Sequence, residues 1–213
     1  KFEDKRIKLY SQKKNSGLGK SRISAKEKIN GTLVSIIDSD DYFDSHKISK
    51  QVAVFNENNN ISLCATWAKF YDKNMQEKKQ FNTKLDNMSI VKRLQFINIL
   101  PHSSLMYKKK YALEVGWYSN KYEYSQDYDL SLKLLNNSEF FLIKEFLTHI
   151  VQPENSMSLS SKYKFIKVEE NLKILEGNLK KSNLNSLEIS LLKDVIKINN
   201  IKKNILSLRN NFI

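Results

Sequence analysis

A chain of 213 residues and 25.0 kDa is long enough to bury one sizeable core with a small appendage, but two full domains would be tight. With 40% hydrophobic residues, a mean hydropathy of -0.52 and no run near the eighteen or so apolar residues that cross a bilayer, the composition excludes an integral membrane protein. The formal charge of +13, from 36 basic and 23 acidic residues, points to anionic partners without choosing among nucleic acid, phosphorylated metabolites and acidic lipid.

In chain order, residues 6–10 alternate polar and apolar like a short strand, residues 11–19 form a polar, glycine-containing loop, and residues 21–30 read as a helix. Residues 31–37 are an apolar strand that runs straight into Asp38, Ser39, Asp40 and Asp41. Three carboxylates in four positions repel one another unless a cation sits among them. Beyond the carboxyl end of a strand in an open α/β sheet, that cation is a metal ion carrying a phosphorylated ligand; the plainer alternative is a solvated acidic turn before a helix. Asp44 or Ser45 then caps a helix whose apolar face is Ile48, Val52 and Phe55.

Residues 61–71 are strand-like, residues 72–74 a turn, and residues 78–81 the returning hairpin strand. The lone Cys64 excludes an intramolecular disulfide and reads as a small buried hydrophobe in a reducing compartment. Residues 89–98 are helical with Ile90, Leu94 and Ile97 aligned, and Pro101 to Tyr107 form a loop entering a strand. Lys108 to Lys110 open a basic helix, and Gly116, Trp117 and Tyr118 close that unit. Residues 125–137 form a helix with Leu130, Leu134 and Leu135 on one face and Ser125 and Asp127 in its first turn; residues 139–145 are a buried strand. From residue 161 the pattern becomes two lysine-rich amphipathic helices, one faced by Phe165, Val168, Leu172 and Leu175, the other by Leu187, Leu191, Val195 and Ile198.

Several of these segments, taken in order, resemble family 2 glycosyltransferases, inverting enzymes of the GT-A fold. They are Asn15-Ser16-Gly17, Ser21-Arg22, Gly31 to Val34, Asp38 to Asp41, Lys47-Ile48 with Gln51, Pro101 to Met106, Val115 to Tyr118 and Gln126 to Leu130. The resemblance covers about positions 5–158, and the ordered set rather than any one motif is specific. It implies an α/β three-layer GT-A sandwich lacking its first strands, with a partial GT-A domain over 1–160 and a basic amphipathic helical tail over 161–213. It also implies sugar transfer from a nucleotide-diphosphate-sugar to a carbohydrate or lipid-linked acceptor, in bacterial cell-surface polysaccharide synthesis.

By the same resemblance, Asp38 and Asp40 form a DxD motif for Mg²⁺ or Mn²⁺, with Asp41 a nearby alternate and Asp38 also facing the donor ribose. Asp127 is the base that takes the acceptor proton; the family's Glu-Asp pair is here Gln126-Asp127. Arg22, His102 and Ser103 face the donor phosphates or the acceptor, while Trp117 and Tyr118 read as core. A third metal ligand falls to Gln152 or His149, because the family's Tyr-Arg-x-His segment is replaced here by His149-Ile150-Val151-Gln152 ahead of Asn155 to Ser158. The base-and-ribose pocket that precedes these motifs in the family has no counterpart before Lys1, so the chain is expected to be part of a longer enzyme, and inactivity of this part alone is an open outcome. The tail either packs on the catalytic domain or lies on an anionic bilayer, which would place the enzyme in the cytoplasm or at the inner face of the membrane. Two further readings are a degenerate, non-catalytic fragment and a basic nucleic-acid-binding protein; against the latter, the aspartates would repel a phosphate backbone.

Overall fold

The computed structural model describes residues 3–12, 14–136, 138–152, 161–181 and 184–210. Its core is a six-stranded mixed sheet built on β3 (Ile61–Tyr71). The first six positions of β3 are all buried, as expected of a strand of small and aliphatic residues covered on both faces. It pairs in parallel with β6 (Glu139–Val151), where Thr66 and Thr148 share a hydroxyl hydrogen bond of 2.7 Å, and antiparallel with β4 (Glu77–Phe81) and β5 (Met106–Lys108). β1 (Leu33–Ser35) extends the sheet beyond β5, and β2 (Tyr42–Phe43) pairs with β6 on the other side, so the two strands flanking the acidic loop lie at opposite ends of the strand order. Lysines on β4 protect its edge from pairing with a stray strand.

Helices cover the sheet: α1 (Gly17–Ala25), α2 (Lys47–Glu57), α3 (Asn87–Leu94), α4 (Lys109–Glu114), α5 (Gln126–Leu135), α6 (Ser161–Lys181) and α7 (Ser186–Asn210). Leu172, Ile174 and Leu175 of α6 and Leu192 of α7 join the same core cluster as Val34, Leu63 and Tyr128. The carboxyl-terminal helices therefore pack directly on the sheet domain. Cys64 is fully buried, as its surroundings in the sequence led us to expect.

Several local expectations change: the helix expected over 21–30 lies at Gly17–Ala25, the strand expected over 31–37 is confined to Leu33–Ser35, and the strand expected over 139–145 runs on to Val151. Residues 7–10 form no strand; Ile7, Leu9 and Tyr10 are exposed and find no ladder partner among the described residues, and alternation alone does not hold a strand. On α2 the face turned to the sheet is Lys47, Gln51 and Phe55, while Ile48 is exposed. The turn that donates the Lys47 N–H to Asp44 O and the His46 N–H to Asp44 Oδ1 sets this phase, and Gln51 fits it by donating to Ser104 O at 3.0 Å. α3 ends at Leu94, leaving Ile97 exposed and Asn98 in a loop. On α7 the buried position is Leu192, and of the predicted face Val195 packs against the core while Leu187, Leu191 and Ile198 face outward with Ile201 and Ile205.

Candidate active site

β1 delivers the chain to a tight turn in which the Asp41 N–H donates to Asp38 O at 3.1 Å. Asp41 is fixed from two sides: Ser103 Oγ donates to its Oδ2, and the Val151 N–H at the end of β6 donates to its Oδ1 at 3.1 Å. Burial pushes this carboxyl up to about 6 against the pull of those two bonds, with Asp38 and Asp40 adding to the rise. Asp38 is half exposed, and Asp40 makes no hydrogen bond or ion pair with the described residues. Two hard oxygen-bearing side chains thus face the cleft beside a third whose oxygens are engaged.

Arg22 reaches this loop from α1. Its Nη2 lies 3.5 Å from Asp38 Oδ1 and donates to His102 Nδ1 at 3.2 Å. A guanidinium only donates, so Nδ1 accepts and the imidazole proton resides on Nε2, which meets the Tyr118 hydroxyl at 3.0 Å. Burial, and then Arg22, hold His102 down to about 4, so it is a neutral rest for the guanidinium at neutral pH. The backbone of α1 is pinned in turn by Trp117, whose indole N–H donates to Arg22 O at 2.9 Å. That bond also locks a left-handed turn: Gly116 has φ 91°, and Trp117, a residue type that rarely goes there, has φ 62°. Trp117 and Tyr118 are core, as the sequence indicated, but the Tyr118 hydroxyl also supports His102.

Asp127 sits in the first turn of α5. Asn98 Nδ2 donates to its Oδ2 at 3.0 Å, while its Oδ1 is buried and has no partner among the described residues. α1 approaches this helix so closely that a Cβ on Gly19 would lie 2.1 Å from Gln126 Nε2. The Gln126 amide donates to Tyr122 O at 2.6 Å and Glu123 O at 3.2 Å. A glutamate at this position would set a carboxylate against two carbonyl oxygens, which gives the Gln-for-Glu departure a local reason.

One cavity of about 720 Å³ brings these groups together; Arg22, Asp38, Asp40, Asp41, His102, Ser103 and Asp127 all line it. Gln152 lines it too, whereas His149 does not. That histidine stacks on Tyr42 with centroids 4.6 Å apart and meets the Tyr71 hydroxyl at 3.1 Å. Asn155 to Ser158 lie outside the described residues. Among the described residues no three His, Cys, Asp or Glu side chains form a metal-binding group. Sequence reasoning missed three contributors, Asn98, Lys167 and Glu170; each is a single polar residue outside any motif, and only the fold brings it to the site.

The family model for glycosyl transferase family 2 matches residues 1–121. A relative named uncharacterized glycosyltransferase MJ1057, from Methanocaldococcus jannaschii, is 31% identical over 160 residues, which are 74% of this chain and 55% of that protein. Among solved structures, S. aureus TarS 1-349 in complex with UDP-GlcNAc aligns at a TM-score of 0.59 and 15% identity, covering 84% of this chain and 51% of that one. Mannosyltransferase PcManGT from Pyrobaculum calidifontis, in complex with GDP-Man and Mn²⁺, aligns at 0.63 and 9% identity, covering 94% and 55%. These likenesses establish the fold as GT-A, and the chain spans about half the length of each relative.

Proposed function

Because the chain belongs to glycosyl transferase family 2, we propose that its cleft moves a sugar from a nucleotide-diphosphate-sugar to a carbohydrate or lipid-linked acceptor, with inversion, in cell-surface polysaccharide synthesis. One observation carries this reading: Asp127 and the acidic loop, far apart in sequence, line a single cavity of a size usual for small-ligand sites. Asp127 lies beyond the residues that the family model matches, so its assignment rests on this placement.

Asp38 and Asp40 are the residues that would hold Mg²⁺ or Mn²⁺: both are carboxylates lining the cleft, and Asp40 has no hydrogen-bond or ion-pair partner among the described residues. Asp41, with both oxygens bonded to Ser103 and Val151, serves instead to hold the loop's shape. A divalent ion bound there supplies charge neutralisation for the departing diphosphate. Arg22 adds a fixed positive charge at the same end, aimed by His102 and anchored by Trp117. Asp127 acts on the acceptor. With Oδ2 fixed by Asn98, its carboxylate takes the proton of the acceptor hydroxyl as the hydroxyl oxygen attacks the anomeric carbon, away from the departing phosphate.

The test is release of nucleoside diphosphate from UDP- and GDP-sugars with Mn²⁺ and a panel of saccharide acceptors. Asp40→Asn and Asp127→Asn are each expected to lose at least about 100-fold in rate. Full activity in either variant removes the role given to that residue. Inactivity of the full-length protein supports the non-catalytic reading.

The same proposal places the enzyme in the cytoplasm, with peripheral contact at the inner membrane face. Leu187, Leu191, Ile198, Ile201 and Ile205 recur at helical spacing on the outward side of α7, a helix that also carries Lys193, Lys197 and Lys202. No helix among the described residues is long and apolar enough to cross a membrane. Flotation with anionic vesicles, abolished by Leu191→Glu with Ile198→Glu, is the expected result; flotation unchanged in that double variant removes the membrane contact.

A further inference from the structure

The acid at the heart of the cleft is held in place from a helix that follows it by some forty residues. Glu170 of α6 is only 6% exposed and forms no ion pair among the described residues; its carboxylate accepts three consecutive backbone N–H groups. The donors are Glu123, Tyr124 and Ser125, the last two at 2.9 Å. These residues lead into α5, whose own Ser125 hydroxyl is buried, has no partner among the described residues and caps nothing. A side chain from α6 thus fixes the backbone turn that enters α5, ahead of the helix's own first-turn N–H groups.

α6 grips the other side of Asp127 as well. Asn178 Nδ2 donates to Gln95 Oε1 at 2.6 Å, tying α6 to the end of α3 just before Asn98, the residue that holds Asp127. One turn ahead of Glu170, Lys167 lines the same cavity as Asp127, with its Nζ 3.3 Å from the Tyr163 hydroxyl. Burial works against the Lys167 charge, but Tyr163, Asp127 and Glu170 more than compensate and carry its pKa above the ordinary lysine value. His102 and Tyr118, which also feel Asp127, are neutral at pH 7.

We infer that α6 completes the active site: Glu170 is a positioning residue that fixes the turn carrying Asp127, and Lys167 is the countercharge that Asp127 faces across the cleft. The inference rests on the reading of Asp127 as the base. A carboxylate that accepts a proton must be held within a fraction of an ångström of its target, and α6 supplies both the clamp and the opposite charge.

The full chain tests this with four variants: Glu170→Gln, Lys167→Met, Lys167→Arg and, as a control in the α6–α7 core away from the cleft, Leu192→Ala. In Glu170→Gln, amide exchange at residues 123–125 should quicken at least about tenfold and kcat for nucleoside diphosphate release should fall at least about tenfold, with donor KM unchanged. Lys167→Met should lose a similar factor in kcat and Lys167→Arg should recover most of it. Leu192→Ala should lower Tm at least as far as Glu170→Gln and keep kcat within about twofold of wild type. Unchanged exchange in Glu170→Gln, or an equal kcat loss in Leu192→Ala, overturns the positioning role. Wild-type turnover in Lys167→Met overturns the countercharge.

One arm needs no turnover, so failure of the glycosyltransferase reading stays separate from failure of this inference. Followed by NMR at its ε-carbon, Lys167 should titrate lower in Asp127→Asn than in the wild-type protein. An unmoved titration removes the pairing whether or not the wild-type protein transfers sugar.

Discussion

Asn98 holds one oxygen of Asp127 at 3.0 Å and leaves the other buried and unpartnered among the described residues. A buried carboxylate oxygen left unpaired costs stability, and that cost is reasonable in a group whose carboxylate has a proton to take. Replacing Asn98 by Ala frees the carboxylate to turn. Steady-state kinetics should show kcat down by about ten- to a hundredfold at constant donor KM; an increase in KM alone would assign Asn98 to donor binding instead.

Arg22 is aimed by His102 and Trp117 rather than by an acid alone, so its geometry should matter beyond its charge. Arg22→Lys keeps the charge but loses the planar fork that meets His102 and Asp38 together. Donor KM is expected to rise about tenfold, or about 1.4 kcal/mol of lost binding. Isothermal titration with UDP or GDP in Mn²⁺ checks this, and unchanged affinity removes Arg22 from the donor site.

Lys47 gives a pH prediction with a definite sign. It is fully buried, its ammonium donates to Ser35 Oγ at 3.2 Å and lies 3.8 Å over the Phe43 ring, and burial pushes its pKa down to about 7. Between about pH 7 and 10.4 the unfolded chain binds the proton that the folded chain has shed, so stability rises with pH across that window, while below it the penalty is felt in full. Urea unfolding at pH 6 and 9.5 should show wild type gaining about 2–3 kcal/mol relative to Lys47→Met, which lacks the titrating amine. No relative gain, or one of opposite sign, would mean that the amine stays charged in the core.

The fit of α1 against α5 predicts two stability losses. Gln126→Glu turns a donor amide into an acceptor facing the carbonyls of Tyr122 and Glu123, for a cost of about 2–4 kcal/mol. Gly19→Ala drives a methyl into the Gln126 amide, a side chain held by those same two bonds, for about 1–3 kcal/mol. Thermal denaturation measures both, and a double variant less destabilised than the sum of the two confirms that they share one contact.

The outline of the fold was legible where a segment's own pattern decides it. β3 matches its predicted bounds because an eleven-residue, mostly apolar run that ends in aromatic residues is flanked by polar turns. Helix phase was harder. α2 buries Lys47 and Gln51, which no hydrophobic pattern selects, and α7 carries apolar residues on two sides, so the sequence pattern favoured the wrong one. At the site, Asp38, Asp40 and Asp127 could be read because they stand in ordered motifs, and one cavity collects them. Asn98 and Glu170 could not: a loop asparagine and a helix glutamate gain meaning only from the backbone that folding places beside them.

The parallel pairing of β3 with β6, from Ile61 opposite Glu139 to Tyr71 opposite Val151, bears on biogenesis. A nascent chain emerging from the ribosome carries β3 with one edge bare until β6 has been synthesised, a long delay for so apolar a segment. The Asp38–Asp41 turn depends on Val151 for its shape, so it too settles late. Chaperone cover over that interval would guard the protein from edge-to-edge aggregation just before the cleft first takes form.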